Sequence, residues 1–367
     1  LPEFQRLRRI KQLGLTSLVY PGAQHTRFQH AIGAMHLMQI ALKNLRAKEI
    51  DISEKEEIGA LLAILLHDIG HGPFSHTLEH SILDDVNHEN ISSHLMHQIN
   101  AQMNGKLSLA IQIFENKYDR QFFHQLVSSQ MDMDRLDYLR RDSFYTGVSE
   151  GTVGIERIIQ MLNVRNNQLI IDQKGIYSVE KFLMARRFMY WQVYLHKTSI
   201  AADELLLNIL KRAKALIDTQ ETIKVSPYLQ FFLENSFSKH DLSNPDVIEN
   251  FCNLDDSEIY CAIKIWQNSN DKTLSTLCKM LINRDLLKIE LFDSPISSQS
   301  VNEKISETSK YLNINLPDAS YFVSVGELKN NAYTSIGDSL KIGMKNGELK
   351  ELSETSEIYN LTNHQKP

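Results

Sequence analysis

The sequence HDIGHGPFSH, at residues 67–76, combines imidazole side chains with two glycines and a proline. The apolar run before it predicts a helix that begins at the Ser-Glu-Lys-Glu sequence of residues 53–56, a capping box in which side chains satisfy the first free amides. The glycines and the proline end that helix, because they break helical geometry. His67 and Asp68 therefore lie at its carboxyl end, where the helix dipole favours a cation.

Histidine is concentrated near the start of the chain, where ten of the 14 histidines lie between His25 and His97. A second capping box, Thr-Arg-Phe-Gln at residues 26–29, predicts a helix that starts near Arg27. His30 lies one turn into this helix and shares a face with small and apolar residues, so its side chain points inward. Taken alone, His30 is better explained as a hydrogen-bonded core histidine than as a ligand.

Two imidazoles and two carboxylates, from His30, His67, Asp68 and Asp134, form a candidate ligand set. Separately, Asp68 fits a polar helix end and Asp134 fits the N-cap of a following helix. Together the four residues supply mixed nitrogen and oxygen donors that leave positions open on Mn²⁺, Fe²⁺, Ni²⁺, Zn²⁺ or Mg²⁺. A metal held in this way lowers the pKa of bound water toward ~7 and holds phosphate oxygens, so the set predicts phosphoester hydrolysis.

The composition argues against several classes of protein. With 39 basic and 45 acidic residues, the 367-residue chain has a net charge of -6, which disfavours a general nucleic-acid binder. Its longest purely apolar run is far shorter than the ~20 residues that cross a bilayer, and its first residues do not form a secretory signal, so we expect a cytoplasmic protein with no membrane partner. The three cysteines form no Cys-x-x-Cys pair, which disfavours a disulfide framework or a thiolate zinc site.

Two regions are predicted from the change of pattern along the chain. Helical periodicity dominates residues 1–290, which divide into a motif core over 1–200 and a helical extension over 201–290. Residues 291–367 mix helical and strand patterns, so we expect a smaller α+β region with a hairpin there. The predicted fold class is therefore mainly α.

Periodicity and turn residues predict individual elements within these regions. They are helices over 130–145 and 179–215, strand-like pieces at 167–172 and 320–328, a linker or edge at 294–309, and a hairpin over 340–352. The hairpin rests on Asn346 and Gly347, which can adopt the positive φ angles of a tight two-residue turn.

The spacing His…His-Asp…Asp, together with the strings HTRFQH, HDIGHGPFSH and MDMDRLDYLRRD, resembles the HD-domain phosphohydrolases. Within that family it is most similar to the deoxynucleoside triphosphate triphosphohydrolases, the dNTPase and dGTPase branch. The similarity runs from FQRLRRIKQLG to YLHK, which ends at Lys197. It implies an all-helical HD core and makes His30, His67, Asp68 and Asp134 the ligands of one divalent metal, with an additional Mg²⁺ left open.

The same resemblance implies catalytic roles beside the metal. His71 and His76 correspond to histidines that face the phosphates, with His76 a candidate acid for the departing 5′ oxygen. Glu79 and His88 correspond to a carboxylate and a histidine beside the site. From the residues alone, His71 and His76 fit either a tight loop of proton-donating imidazoles or a histidine-rich surface turn.

Substrate contacts are implied at nine positions: Gln12, Leu13, Arg27, Arg135, Tyr138, Asp142, Arg186, Tyr190 and Tyr194. By the resemblance, Tyr138 and Asp142 surround the deoxyribose 3′ hydroxyl with Gln12, while Tyr194 leaves no room for a 2′ hydroxyl. The three arginines approach phosphates or base. From spacing alone, the positions on helical stripes also fit a solvated face or packed side-chain stems.

Regulation and assembly are also implied by the resemblance. Gln5 and Arg8 correspond to residues that bind an activating nucleotide, although the basic segment around them equally fits a solvated helix. Relatives assemble as homo-oligomers, so a homo-oligomer is expected here.

The predicted function is metal-dependent hydrolysis of a deoxynucleoside triphosphate to a deoxynucleoside and inorganic triphosphate. Two alternatives remain. One is an HD nucleotidase or phosphodiesterase that acts on other phosphoesters. The other is a nucleotide sensor or single-stranded nucleic-acid binder without turnover, which the complete ligand set disfavours.

Overall fold

The computed structural model describes residues 1–74, 86–328 and 340–356, and helices make up most of them. The prediction of a mainly α fold with an all-helical core is confirmed. The α-helices are α1 (Pro2–Gln5), α2 (Arg27–Ala47), α3 (Glu54–Leu66), α4 (His88–Gln102), α5 (Ser108–Phe114), α6 (Phe122–Val127), α7 (Met133–Thr146), α8 (Ile155–Met161), α9 (Ile176–Met189), α10 (Lys197–Asp218), α11 (Pro227–Glu234), α12 (Pro245–Asn253), α13 (Asp256–Trp266), α14 (Lys272–Ile282), α15 (Ser298–Leu312), α16 (Leu316–Ala319) and α17 (Leu352–Thr355). Shorter 3₁₀ segments span Arg6–Arg9, Gly14–Leu18, Ser149–Gly151, Gln173–Gly175, Lys239–Ser243 and Ser320–Phe322.

Helices α2, α3 and α7 form the scaffold of the predicted ligand set, since α2 packs against both of the others. Both α2 and α3 begin at the predicted capping boxes. In α2, the backbone N–H of Thr26 donates to Gln29 Oε1 at 2.8 Å. Helix α3 ends at Leu66, so His67 and Asp68 directly follow its last turn, as predicted.

The inner face of α2 explains how His30 comes to be inside the protein. Ala31, Ala34 and Ala41 are completely buried, and their short side chains let neighbouring helix backbones approach α2 closely. Burial of apolar surface of this kind stabilises the fold by about 25 cal/mol per Å². His30 lies beside these residues with no exposed surface, which confirms its predicted inward direction.

Within the described residues, a four-stranded sheet joins the two predicted regions. Its strands are β1 (Leu162–Arg165), β2 (Gln168–Asp172), β3 (Lys341–Gly343) and β4 (Leu349–Glu351). Strands β1 and β2 form one antiparallel hairpin, β3 and β4 form another, and β2 pairs in parallel with β3 through Ile171 and Ile342. The strand predicted at 167–172 and the hairpin predicted over 340–352 are confirmed. The predicted tight two-residue turn is wrong, because residues 344–348 connect β3 to β4 and, of Asn346 and Gly347, only Gly347 has a positive φ, at 91°.

Two predictions for the C-terminal region are wrong. Residues 294–309 are not a linker, because Ser297 caps α15 by accepting from the backbone N–H of Ser300 at 3.1 Å. Residues 320–328 are not a strand, since they begin with a 3₁₀ turn and continue to residue 328 without strand structure. Alternation of apolar residues cannot supply the neighbouring strand that a sheet requires.

The single helix predicted over residues 179–215 is also wrong, because it is divided into α9 and α10. A π-helical turn, Tyr190–Tyr194, separates them. The wider turn changes the direction of the side chains that follow it, and such turns often occur at functional sites. Two of the predicted substrate residues, Tyr190 and Tyr194, lie in this turn.

The helical extension packs around α10, which contacts α11 and α14. Among the described helices, none combines the length and the apolar character needed to cross a membrane. The division of the chain between residues 290 and 291 stays a prediction.

Candidate functional site

The four predicted metal ligands lie together where α2, α3 and α7 meet. His30 Nε2 is 3.0 Å from Asp134 Oδ1 and 3.8 Å from Asp68 Oδ2. His67 Nε2 is 3.5 Å from Asp134 Oδ1 and 3.3 Å from Asp68 Oδ1. Donors about 2.1 Å from one ion and at right angles to each other are about 3 Å apart. The ligand atoms of His30, His67 and Asp134 all lie within 4.8 Å of one another and so suit donors that share one ion, whereas Asp68 groups with His71 and His88.

Both histidines present their Nε2 atoms to the space between them. Nδ1 of His30 donates to Asp137 Oδ2 at 2.8 Å, and Nδ1 of His67 donates to the carbonyl oxygen of Ile64 at 2.6 Å. With one proton held on Nδ1, each ring can offer the lone pair of Nε2 to a metal ion once a proton there is displaced. Both Nε2 atoms are buried and have no hydrogen-bond partner in the described part of the chain. Two buried Nε2 atoms that face two carboxylates fit a divalent cation.

Asp137 is a residue of this site that the sequence reasoning missed. Besides holding His30, its two oxygens accept from Nε and Nη2 of Arg141 at 2.8 Å each. Asp137 lies three residues after Asp134 on α7, and this same-face spacing is the signal that could have identified it. Gly33 leaves space for the pair, since a Cβ at that position would be 2.1 Å from Asp137 Oδ1.

The electrostatic field at the site favours positive charge. Burial opposes protonation of His30, but Asp134 and Asp137 outweigh it and raise the pKa of the imidazole to about 10. Burial also opposes protonation of His67, yet Asp68 and Asp134 raise its pKa. For Asp134, burial would raise the pKa, but the two imidazoles lower it below its usual value. A field that favours a proton on Nε2 also favours a metal ion there.

Two arginines that the sequence singled out lie beside the ligands. Arg27 is buried on α2 and donates to Asp68 Oδ2 at 2.5 Å, so it engages one oxygen of a predicted ligand. Arg135 Nε is 3.2 Å from Asp132 Oδ2. Asp132 also caps α7 by accepting from the backbone N–H of Arg135 at 2.6 Å. Asp134 is therefore not the N-cap, and its carboxylate is left to the site.

His71 extends the site beyond the predicted ligands. Its Nε2 is 3.3 Å from Asp68 Oδ1, and its ring stacks on His88 with centroids 3.8 Å apart. Burial, followed by a neighbouring guanidinium, holds the pKa of His71 well below its usual value, so the ring is neutral at neutral pH. Asp68, His71 and His88 each offer a ligand atom within 4.8 Å of the others. His76 and Glu79 lie outside the described residues.

A cluster of mostly buried side chains lies farther along α7, beyond the predicted metal ligands. Asp142 accepts from the hydroxyl of Tyr194 at 2.8 Å, and its other oxygen is 2.7 Å from His25 Nε2. Tyr138 lies edge-on to Tyr194, with ring centroids 6.2 Å apart. Asp134, Tyr138 and Asp142 follow each other at four-residue intervals on this helix, as predicted. Both oxygens of Asp142 are thus engaged by other side chains.

Comparison with known proteins places this geometry in a family. The HD domain model matches residues 27–140, and the HD associated region model matches residues 153–231. The crystal structure of a phosphohydrolase from Bacteroides thetaiotaomicron is similar to the chain with a TM-score of 0.95 and 52% sequence identity, covering 99% of this chain and 90% of that one. This chain belongs to the HD-domain phosphohydrolases.

Two further relatives extend the comparison. The uncharacterized protein YwfO of Bacillus subtilis is 34% identical to this HD phosphohydrolase over 371 residues, covering 97% of this chain and 82% of the relative. The deoxynucleoside triphosphate triphosphohydrolase SAMHD1 homolog of Dictyostelium discoideum is 30% identical over 278 residues, covering 68% of this chain and 54% of the relative. The resemblance to the dNTPase branch is therefore confirmed as a sequence similarity.

The π-helical turn of this HD phosphohydrolase places Tyr190 beside Tyr194, and Arg186 lies near Tyr190 at the end of α9. Tyr190 lies edge-on to Tyr194 at 5.2 Å between centroids. Arg186 is buried, its Nη1 donates to Gln130 Oε1 at 3.3 Å, and its guanidinium lies 6.0 Å from the Tyr190 ring. Its Nε is buried without a hydrogen-bond partner among the described residues.

Gln12 and Leu13 belong to the amino-terminal segment of this HD phosphohydrolase, and Gln12 adjoins His25, whose ring contacts Asp142. The backbone N–H of Gln12 donates to the carbonyl oxygen of His25 at 3.0 Å. Gln12 Oε1 is buried and, within the described ranges, accepts no hydrogen bond. Leu13 is half-buried and packs against the hydrophobic core.

Gln5 and Arg8, the predicted activator residues, are exposed and interact with each other. Arg8 Nε donates to Gln5 Oε1 at 2.7 Å, and its guanidinium lies 3.5 Å from the centroid of Phe28. The segment is a 3₁₀ turn, Arg6–Arg9, rather than the solvated α-helix that the charges also fit. The predicted role in nucleotide binding stays a prediction.

Proposed function

We propose that this HD phosphohydrolase hydrolyses deoxynucleoside triphosphates to deoxynucleosides and inorganic triphosphate, with a divalent metal held by His30, His67, Asp68 and Asp134. The observation that carries the proposal is the pair of buried Nε2 atoms that face two carboxylates while both Nδ1 atoms are already engaged. Such mixed donors with open positions suit hydrolytic metal sites. The similarity to the Dictyostelium relative, named as a deoxynucleoside triphosphate triphosphohydrolase, supports the choice of substrate.

The proposed reaction breaks the bond between the α phosphorus and the 5′ oxygen. A divalent ion held by His30, His67, Asp68 and Asp134 would supply a water of lowered pKa and would neutralise charge on the phosphate. The water oxygen bonds to the α phosphorus, and the 5′ oxygen leaves with a proton. Arg27 orients Asp68 by donating to its Oδ2. Asp137 and Ile64 fix the histidine tautomers through Nδ1.

The proton for the 5′ oxygen is assigned to His76, or to His71 with His88 behind it. His71 is neutral before substrate arrives, because burial lowers its pKa. A triphosphate brought beside His71 adds negative charge, which raises the pKa of a neighbouring imidazole. His71 therefore becomes a proton donor only when substrate is bound. Stacking on His88 keeps its ring in place, and Glu79 is assigned to orient His88.

The deoxyribose is assigned to the cluster on α7. Gln12 Oε1, which accepts no hydrogen bond from any described residue, is available to a sugar hydroxyl. Tyr138 and the Asp142–Tyr194 pair are assigned to the other side of the sugar, where the Tyr194 ring excludes a 2′ hydroxyl. Arg135 and Arg186, with Tyr190 and Leu13 beside them, are assigned to phosphates or base.

Replacing Tyr194 with alanine is expected to lower discrimination against ribonucleotides. The ratio of kcat/KM for dNTP over NTP should fall about 10- to 100-fold, because loss of the ring opens space for the 2′ hydroxyl. Both substrates compete in one reaction, and chromatography quantifies each product. Trp191→Ala is the matched control, since Trp191 lies in the same turn with its ring half exposed. Equal ratios in the two variants would contradict the assignment.

Product analysis tests the proposed function itself. Each of the four dNTPs, singly and mixed, is incubated with Mn²⁺ or Mg²⁺ in ¹⁸O-labelled water. We expect unlabelled deoxynucleoside and inorganic triphosphate that carries the label. Monophosphate with pyrophosphate would refute the bond assignment. Activity in the mixture alone would support an activating nucleotide, and light scattering on the same sample tests the proposed homo-oligomer.

A phosphodiesterase or nucleotidase is the second candidate function. The group of Asp68, His71 and His88 favours it, because their ligand atoms are close enough for another ion and paired ions occur in phosphatases and nucleases. Nucleoside monophosphates, cyclic dinucleotides and single-stranded DNA are therefore included in the substrate panel. A metal count of two per chain, with turnover of these substrates alone, would favour this candidate over the dNTPase.

A further inference from the structure

Arg6 is a buried cation beside the active site, with only 1% of its surface exposed. Its Nη1 donates to the carbonyl oxygens of Ile69 at 3.2 Å and His71 at 2.8 Å. Its Nη2 donates to those of Phe251 at 3.5 Å and Leu254 at 3.4 Å. In the part of the chain that the structure describes, Arg6 forms no ion pair. One guanidinium therefore joins the turn after α3 to the end of α12.

Asp256 holds the same turn at its other end. This residue begins α13, its Oδ1 accepts from the backbone N–H of Phe74 at 2.9 Å, and its Oδ2 accepts from that of Lys11 at 2.9 Å. Phe74 has a φ of 51°, a left-handed conformation that is costly for a bulky residue. Residues 69–74, here called the ligand turn, are thus fixed at both ends by groups distant in sequence.

We infer that Arg6 and Asp256 are positioning residues for His71, and that α12 and α13 influence the site through them. The inference rests on the proposed hydrolytic function. His71 lies within the ligand turn, between the carbonyl of Ile69 and the amide of Phe74, so both attachments restrict its backbone. Arg6 also donates to the carbonyl oxygens of Phe251 and Leu254 at the end of α12, so it connects the backbone of the ligand turn to the helical extension.

The chemistry of Arg6 supports positioning over simple space filling. A buried charge loses its hydration, and an apolar side chain of similar volume avoids that cost. A guanidinium, however, sets several donor directions in one rigid plane, which a flexible apolar chain cannot do. Four carbonyl oxygens from two segments use these directions. The Phe251 ring adds a cation–π contact, 4.9 Å from the Arg6 guanidinium.

Three variants separate positioning from general stability. Arg6→Met keeps an unbranched side chain that fills most of the space of the arginine, although it is shorter, and removes every donor. Asp256→Asn keeps the shape of the side chain but replaces one of its two oxygens with an N–H₂ group. That group cannot accept a hydrogen bond, so one of the contacts to the backbone N–H groups of Phe74 and Lys11 is lost. Arg9→Met is the matched control, because Arg9 pairs with Asp255 and so links the same two segments without a contact to the ligand turn.

The expected result is a fall in kcat of about 10- to 100-fold for Arg6→Met and Asp256→Asn, with KM within about twofold of the wild type. Assays use metal-loaded protein well below the Tm of each variant, so that loss of fold cannot lower the rate. In hydrogen–deuterium exchange, the amides of residues 69–74 should exchange faster in both variants and not in the Arg9→Met control. Arg6→Lys should recover part of kcat, because an ammonium reaches some of the four carbonyls.

Two results would overturn the inference. The first is a kcat for Arg6→Met and Asp256→Asn equal to that of Arg9→Met, in a wild type that is active. The second is a lower kcat with unchanged exchange in the ligand turn. If Arg6→Met does not fold, Arg6→Lys and Asp256→Asn decide by the same two readouts.

If the proposed function is wrong, the assay of the wild-type protein itself shows it. A wild type that produces no triphosphate refutes the dNTPase assignment, and kcat is then measured on the phosphoester that it does hydrolyse. A wild type that hydrolyses nothing in the panel refutes both the function and the positioning role.

Discussion

Asp134→Asn is expected to lower kcat/KM for phosphoester hydrolysis by about 10³-fold or more, and to remove the metal from the purified protein. Asp134 Oδ1 lies 3.0 Å from His30 Nε2 and 3.5 Å from His67 Nε2, so it is the oxygen that both imidazoles face. Asparagine keeps the size of the side chain but lacks its charge, and the neutral oxygen binds a divalent ion more weakly. The fold should persist, because the Asp134 side chain is 26% exposed and does not cap α7.

Metal content, measured by mass spectrometry on the samples used for kinetics, checks this expectation. Arg140→Gln is the matched control on the same helix, since its half-exposed side chain pairs with Glu156 at 2.9 Å, away from the ligands. The control should keep both the metal and the rate of the wild type. An Asp134→Asn protein that retained its metal and its activity would exclude Asp134 as a ligand.

His71→Asn should produce the second large effect, a fall in kcat of about 10²- to 10⁴-fold, the range for loss of a general acid or base. One metal ion should remain bound, because His71 is not among the four predicted ligands. Near neutral pH the ring is neutral in the free protein, since burial and a neighbouring guanidinium lower its pKa. Its contribution should therefore appear in kcat, after substrate has bound, more than in KM.

The metal count distinguishes this role from ligation. If His71 instead holds a second ion with Asp68 and His88, the variant will lose one of two ions, and the proton-transfer role will be wrong. His97→Asn is the control, because His97 is exposed on α4 and contacts Glu115 at 3.0 Å. Its kcat and metal content should match those of the wild type.

Local signals explain what the sequence could predict. The two capping boxes lie within four residues each, and both correspond to the observed starts of α2 and α3. The ligands His67 and Asp68 are adjacent and follow an apolar helix that glycines end. The family resemblance linked them to His30 and Asp134, which spacing alone left as a core histidine and a helix cap.

Long-range contacts explain what the sequence could not predict. His30 meets Asp137 across 107 residues, Arg6 meets His71 across 65, and Phe74 meets Asp256 across 182. No periodicity relates such partners, because tertiary packing alone brings them together.

The sequence pattern was also ambiguous in segments where one local structural preference competed with another. Residues 298–312 are polar and serine-rich, yet the cap at Ser297 and a left-handed Asn313 delimit a helix without buried residues. Residues 179–215 have continuous helical periodicity, and the π-helical turn that interrupts them is not visible in it. The contacts of Asp142 with His25 and Tyr194 were likewise not visible in the sequence, and its predicted role at the sugar stays a prediction.

The parallel pairing of β2 with β3 has a consequence for biosynthesis. β2 is translated long before β3, and Ile342, which pairs with Ile171, is fully buried in the finished protein. Until the ribosome has passed residue 343, the outer edge of β2 offers unpaired amides to any other nascent chain, which is a route to aggregation. The later hairpin thus covers an edge of β2 that stays unprotected while the residues between β2 and β3 are synthesised.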